Sequence, residues 1–171
     1  MQGQLKTIDP ADLPDNPFDL VGEKWMLISA GNKKAFNTMT ASWGGMGVLW
    51  AKKVCFCVVR PGRHTYRFIE AAHLFTLSFF DESFRDALTF CGSHSGRDVD
   101  KVRQTGLTPV FANGGVYFAE ARLVFACKKI YYQDIDPAHF LDPSMDKTFY
   151  PLKDYHRMYV GEIKTCLVRQ P

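Results

Sequence analysis

The chain has 171 residues, of which 46% are hydrophobic and 23% charged, the make-up of one globular domain with a sizeable core and little room for a second. Its net charge of +3, from 21 basic and 18 acidic side chains, is too mild to argue for a nucleic-acid partner without a basic cluster, and none is present. The opening, MQGQLKTIDPADLPDNPFDL, has neither the apolar stretch of a signal peptide nor a membrane span, so a cytoplasmic protein with no membrane partner is expected.

Taken in order, residues 1–20 read as an extended arm lying over a single domain of residues 1–171, because Pro10, Pro14 and Pro17 interrupt any helix. The run 25–30 reads as a strand, Gly31-Asn32 as a tight turn, and 35–40 as the return strand of a hairpin. Residues 48–50 and 54–59 read as two further strands with Lys52-Lys53 at the turn between them, the second apolar throughout as in a buried strand. A helix is expected over 65–72, a strand over 73–80, and a second helix over 82–91, capped by Asp81 and closed by Gly92 in the left-handed position. The loop 93–97 leads to a short helix capped by Asp98 and closed by Gly106, which puts Lys101 about one turn from that loop. Beyond Pro109 come a short strand, a turn at 113–115 and a long β-like stretch over 116–132 with room for a bulge. Residues 134–154 carry three prolines and read as an irregular excursion with one helical turn near 138–141, before a last strand over 156–168. The result is seven or eight strands with two or three short helices, a mainly β chain whose edges are most simply managed by closing into a barrel.

Three clusters carry chemistry. Asn37, Thr40, Ser42 and Trp43 set amide and hydroxyl groups beside a flat indole, followed by Gly44-Gly45, a segment suited to a planar polar ring. Arg60, Arg63 and Thr65 gather where an apolar strand meets a helix start, and free N–H groups, the helix dipole and forked guanidinium donors all favour phosphate there. Ser93 to Lys101, SHSGRDVDK, forms a third anion-capable loop. A planar heterocycle at one end and a phosphate at the other describe a mononucleotide-like ligand, for which FMN is the first candidate. Each cluster also has a plain reading, as a strand end, a solvated helix start or an ordinary cap. Gly44-Gly45-Met46-Gly47 lacks the spacing and setting of a dinucleotide fingerprint. Cys55 and Cys57 share a strand face with no partner at metal-site spacing, so no metal is argued, and the odd count of five cysteines with no Cys-x-x-Cys pair points to reduced thiols. His94 and His156 are the histidines worth following, one in a candidate ligand loop and one at a strand start.

On NTMTASWGG, RPGRHTYRFIE, FCGSHSGRDVDKVRQTGLTPV and HRMYVGEI, and over nearly the whole length, the chain resembles the flavin reductase-like family with the FMN-binding split β-barrel fold, including flavoredoxin-type proteins. The resemblance implies a Greek-key split barrel, FMN at a homodimer interface, and hydride or electron traffic through the flavin. A subunit contact also suits the 14 phenylalanines and 14% aromatic content. Carried over, it places Asn37, Thr40, Ala41, Ser42 and Trp43 along the isoalloxazine and ribityl chain, Arg60, His64 and Thr65 along the ribityl-phosphate, and Ser95, Gly96 and Lys101 in the anion pocket. The expected activity is hydride transfer from NADH or NADPH to flavin N5 and onward electron delivery to a small-molecule or protein acceptor, with His156 a candidate on the nicotinamide side. The alternatives are a non-enzymatic FMN electron carrier and a barrel that binds no flavin.

Overall fold

The computed structural model describes residues 3–170. In chain order, β1 (Leu5–Ile8) leads through a 3-10 turn at Pro10–Asp12 and a π-helical turn at Asp19–Glu23 into the hairpin of β2 (Met26–Gly31) and β3 (Phe36–Ala41). A second hairpin, β4 (Gly44–Leu49) with β5 (Lys52–Val59), is followed by α1 (His64–Ala71), β6 (Leu74–Phe79), α2 (Arg85–Ser93) and α3 (Lys101–Thr105). The short pair β7 (Pro109–Ala112) and β8 (Gly115–Phe118) precedes β9 (Leu123–Asp134), and α4 (Pro143–Phe149) interrupts the excursion back to β10 (Arg157–Arg169).

The main sheet runs β3-β2-β6-β9-β10-β5-β4, antiparallel throughout, with β1 paired to β10. Its two end strands, β3 and β4, are separated in the chain only by Ser42 and Trp43. A sheet whose outermost strands are joined by two residues must curl until its edges meet, so the topology itself demands a barrel, split where no hydrogen-bond ladder links β3 to β4. This is the mainly β, Greek-key split barrel expected from the sequence. No helix among the described residues is long and apolar enough to cross a membrane.

The barrel interior is filled by Met26, Ile28, Phe75, Phe79, Phe125 and Tyr159, with the thiols of Cys55, Cys57, Cys127 and Cys166 among them. A second apolar cluster lies outside the sheet, where Leu27, Leu88, Phe118 and Val124 pack beneath α2 and the β7–β8 hairpin. β2 is therefore covered on both faces, with Met26 to Ala30 all buried and its one polar side chain, Ser29, bonded to Thr38 Oγ1 at 2.8 Å. Where β10 crosses the barrel it carries Gly161, at which a Cβ would lie 2.7 Å from both Cys127 Cβ and Phe75 Cζ. Across that gap the sulfurs of Cys55 and Cys127 approach to 3.1 Å.

Several sequence expectations change. The arm is not simply extended, because residues 5–8 are a strand of the sheet and the turn at Asp19–Glu23 buries Leu20 and Val21 in the barrel. Residues 1 and 2 of that arm lie outside the described residues. Lys52 and Lys53 open β5, and the hairpin turns instead at Trp50 and Ala51, both at positive φ. Gly44 and Gly45 lie inside β4, and β5 exposes Phe56 on its outer face rather than being buried throughout. Asp81 makes no side-chain cap, Gly92 sits within α2, and α3 is capped by Asp100 rather than Asp98. The stretch 116–132 divides into β8 and β9, with register shifts in the β9–β10 ladder at Val160/Gly161 and Ile163/Thr165. The excursion holds a 3-10 turn at Pro137–His139 and the whole of α4, each capped by an aspartate, Asp136 and Asp142. Two prolines taken as breakers stand instead in the first turns of these helices, where the missing N–H is harmless.

Candidate functional site

Two adjoining cavities lie at the split edge. The first, about 230 Å³, is lined by Thr40, Ala41, Ser42 and Trp43 from the crossing between β3 and β4, by Arg60 just beyond β5, and by His156 just before β10. The second, about 130 Å³, is lined by Asn37 of β3, by His64 and Thr65 at the start of α1, and by Ser95, Gly96 and Lys101 from the segment after α2. Arg63 lines both, and no aspartate or glutamate lines either. The three clusters singled out in the sequence thus line two neighbouring cavities joined at Arg63.

Its first end is walled by rings. The indole of Trp43 lies 5.2 Å from the His156 ring and takes the edge of Phe149 at 5.4 Å and 85°. The Tyr150 hydroxyl bonds His156 Nδ1 at 2.8 Å, and Nε2 has no protein partner among the described residues. Burial, reinforced by the nearby Arg60 charge, pushes the His156 pKa down to about 4, so the ring is neutral at pH 7. Arg60 is held in place by the protein: Nη1 bonds both Asp154 oxygens at 2.5 and 2.6 Å, and Nη2 donates to the Phe149 carbonyl at 2.9 Å. It stands at this ring-walled end, apart from the second cavity where the phosphate residues were expected to gather.

The second end is built for an anion. The Arg67 guanidinium meets His64 Nε2 at 3.0 Å. A guanidinium can only donate, so Nε2 accepts and the proton of the neutral imidazole sits on Nδ1. That Nδ1 is buried and has no partner among the described residues, and burial followed by the charges of Arg67, Arg97 and Lys101 lowers the His64 pKa, which favours the neutral ring. A buried donor left unmatched costs about 1–3 kcal/mol, which an anionic oxygen would relieve. Lys101 Nζ donates to the carbonyls of Thr38 and Cys91 at 2.8 and 2.7 Å, leaving one of its three protons for a ligand. Burial holds its pKa down at about 8. No side chain caps the first amides of α1.

Asn37 acts here as a strut rather than a free donor. Its Nδ2 bonds Thr65 Oγ1 at 2.8 Å, and its Oδ1 lies where a Cβ on Gly96 would come to 2.0 Å, so only glycine lets the loop close onto β3. Thr40 likewise donates its hydroxyl to the Leu88 carbonyl. Arg63, which the residue-by-residue assignment passed over, links the cavities and donates to the carbonyls of Gly92 and Cys91 at 2.8 and 3.4 Å. The signal for it was present in the Arg60/Arg63 pair, but spacing alone could not choose between the two.

Fold and site together define a split barrel with two neighbouring cavities, one walled by rings and the other cationic. The chain belongs to the flavin reductase-like domain family, whose model matches residues 19–171. Among solved structures it is similar to an FMN-binding domain of flavin reductase-like enzymes from Shewanella baltica, at 17% identity and TM-score 0.71, covering 98% of this chain and 78% of that one. It is also similar to flavoredoxin of Desulfovibrio vulgaris, at 22% identity and TM-score 0.65, covering 84% and 68%. A third likeness is to an NADH:FAD oxidoreductase of Streptomyces globisporus, at 18% identity and TM-score 0.65, covering 96% and 89%. No curated protein matches the sequence.

Proposed function

We propose that this protein binds FMN along the two cavities and works as an NAD(P)H-dependent flavin reductase that passes electrons to a small-molecule or protein acceptor. The observation that carries the reading is the pairing of a ring-walled cavity with a carboxylate-free one that holds the orphan Nδ1–H of His64, the two joined at Arg63. When bound, FMN supplies the hydride and electron chemistry. The chain's own part is placement and polarity. Thr40 to Trp43 form the floor for the ring system, and His64, Thr65, Ser95, Gly96 and Lys101 surround the phosphate. Arg63 lies between them, and Arg60, pinned by Asp154, closes the ring end. His156, neutral and held by Tyr150, offers Nε2 on the side open to a nicotinamide. The reading is supported by the family and by the likeness to the NADH:FAD oxidoreductase of Streptomyces globisporus.

A homodimer in the cytoplasm, where the thiols stay reduced, belongs to the same proposal. A groove of about 430 Å³ shares Trp43 with the ring cavity and continues over Pro17, Phe18, Val21 and Met46, with Phe18 85% exposed. A second copy on this groove would close the open side of the ring cavity.

The test is anaerobic stopped-flow mixing of FMN-loaded protein with NADH and with NADPH. Rapid bleaching of the flavin absorbance with either donor is expected. Flavin that stays oxidised with both leaves an electron carrier, and failure of the protein to quench FMN fluorescence overturns the cofactor assignment itself.

A further inference from the structure

The excursion between β9 and β10 is tied at its neck, where the Ile135 amide donates to the His156 carbonyl at 2.9 Å, and beyond the neck it packs against itself. Asp136 and Asp142 cap its two helical turns, and Asp146 accepts from Lys153 and, at 2.8 Å, from the Tyr155 hydroxyl. The Tyr150 ring lies against those of Phe140 and Tyr155, at 5.9 and 4.9 Å. Past the neck, every hydrogen bond, ion pair and ring contact that this segment makes to the rest of the described chain falls on Trp43, Arg60 or His156. Phe149 sets its edge on the Trp43 indole, Asp154 and the Phe149 carbonyl hold Arg60, Arg60 also lies 5.4 Å from the Tyr150 ring, and the Tyr150 hydroxyl bonds His156 Nδ1. All three of these residues line the ring cavity.

A long segment closed at its base, packed on itself and touching the body around one cavity is a unit that can move without unfolding the sheet. Its hold is light. The Arg60–Asp154 pair leaves 31% and 36% of its side chains exposed, and a partly exposed ion pair contributes little. The groove that a second copy would cover carries no residue of the segment, so that contact leaves it free. We propose that residues 136–155 form a lid over the ring cavity, latched on Arg60 and on the His156 ring, which swings about the Ile135–His156 neck to let flavin in and out, so that the latch paces flavin exchange. This rests on the placement of the flavin ring beside Trp43.

A latch and a ligand contact differ in their kinetics. Losing a contact to the ligand speeds release alone, whereas a weaker latch populates the open form with and without flavin and speeds entry and release together. The experiment compares the intact protein with Asp154→Asn and Tyr150→Phe by stopped-flow FMN fluorescence, reading entry on mixing FMN with flavin-free protein and release on rapid dilution of the complex. In Asp154→Asn both rates should rise by about fivefold, the upper range for a partly exposed ion pair, and in Tyr150→Phe they should rise together, with Kd unchanged in each. Amide hydrogen exchange should quicken over residues 136–155 and stay as it was in β2, β6 and β9. Faster release at unchanged entry makes these residues ligand contacts, unchanged rates make the excursion a fixed wall, and faster exchange across the barrel makes the effect a general loosening; each of these overturns the lid. If the intact protein quenches no FMN fluorescence, the site reading itself falls and the lid falls with it.

Discussion

At the residue scale, His64 and Lys101 separate binding from folding. The Nδ1–H of His64 is buried without a partner in the free protein, so His64→Leu removes a liability to folding and a contact to the ligand together. FMN affinity should fall by about 1–3 kcal/mol, while the melting temperature of the ligand-free protein holds or rises; a fluorescence titration and a thermal scan on one sample decide it. Lys101 gives a pH signature. Burial lowers its pKa from 10.5 to about 8, so the unfolded chain binds more protons in that window, and this group makes the ligand-free protein more stable as pH rises from about 8 toward 10.5. Anion binding has the opposite sign, because a neutral amine must regain its proton to meet a phosphate. FMN affinity should be flat below that pKa and decline above it, and Lys101→Met should flatten the profile. The gathering of donors in 37–43, 60–65 and 93–101 was legible in the sequence because each cluster is local. Which donors stay free was not: Arg60 is held by Asp154 and the Phe149 carbonyl, groups about ninety positions away that no spacing rule connects to it.

At the element scale, the β4–β5 hairpin shows where local reading gives out. A two-residue turn with both central residues left-handed suits Asn-Gly, yet here Trp50 and Ala51 occupy it at φ 50° and 55°. Nothing in Trp-Ala signals a turn, whereas Lys-Lys has the polarity of one. The sheet overrides local preference, since Leu49 must face Lys52 for Gly44 to reach Cys57 in register, and the Trp50 ring rests against Tyr131 at 5.7 Å. Ala51→Gly relieves the left-handed strain and should raise stability by about 1 kcal/mol, read as a higher urea midpoint at unchanged slope. An unchanged or lower midpoint would show that the strain is absorbed elsewhere. The excursion fails to read for the converse reason. Its prolines looked like breakers, and only the preceding aspartates, Asp136 and Asp142, mark them as helix starts.

At the scale of the whole molecule, mainly β content and the barrel followed from strand counting, while the position of the cavity followed from topology: the two-residue link between the end strands sets Ser42 and Trp43 at the split. Phe18, 85% exposed, lies on the groove beside that seam, and Val48, 76% exposed, lies further along the end strand β4. Sedimentation should show a species of two 19.5 kDa chains, and Phe18→Ser with Val48→Lys should yield single chains with a weaker hold on FMN; single chains in the unaltered protein would remove the dimer from the proposal. All five sulfhydryls are shut away, Cys55, Cys57 and Cys127 at 0% exposure and Cys91 and Cys166 at no more than 1%. An alkylating reagent can therefore reach them only while the native protein transiently opens. Its rate of uptake, followed cysteine by cysteine in a mass spectrometer, clocks the breathing of the barrel without any engineered probe, and Cys91, beneath Arg63 and Lys101, is the position whose clock should slow most when the cavity above it is filled.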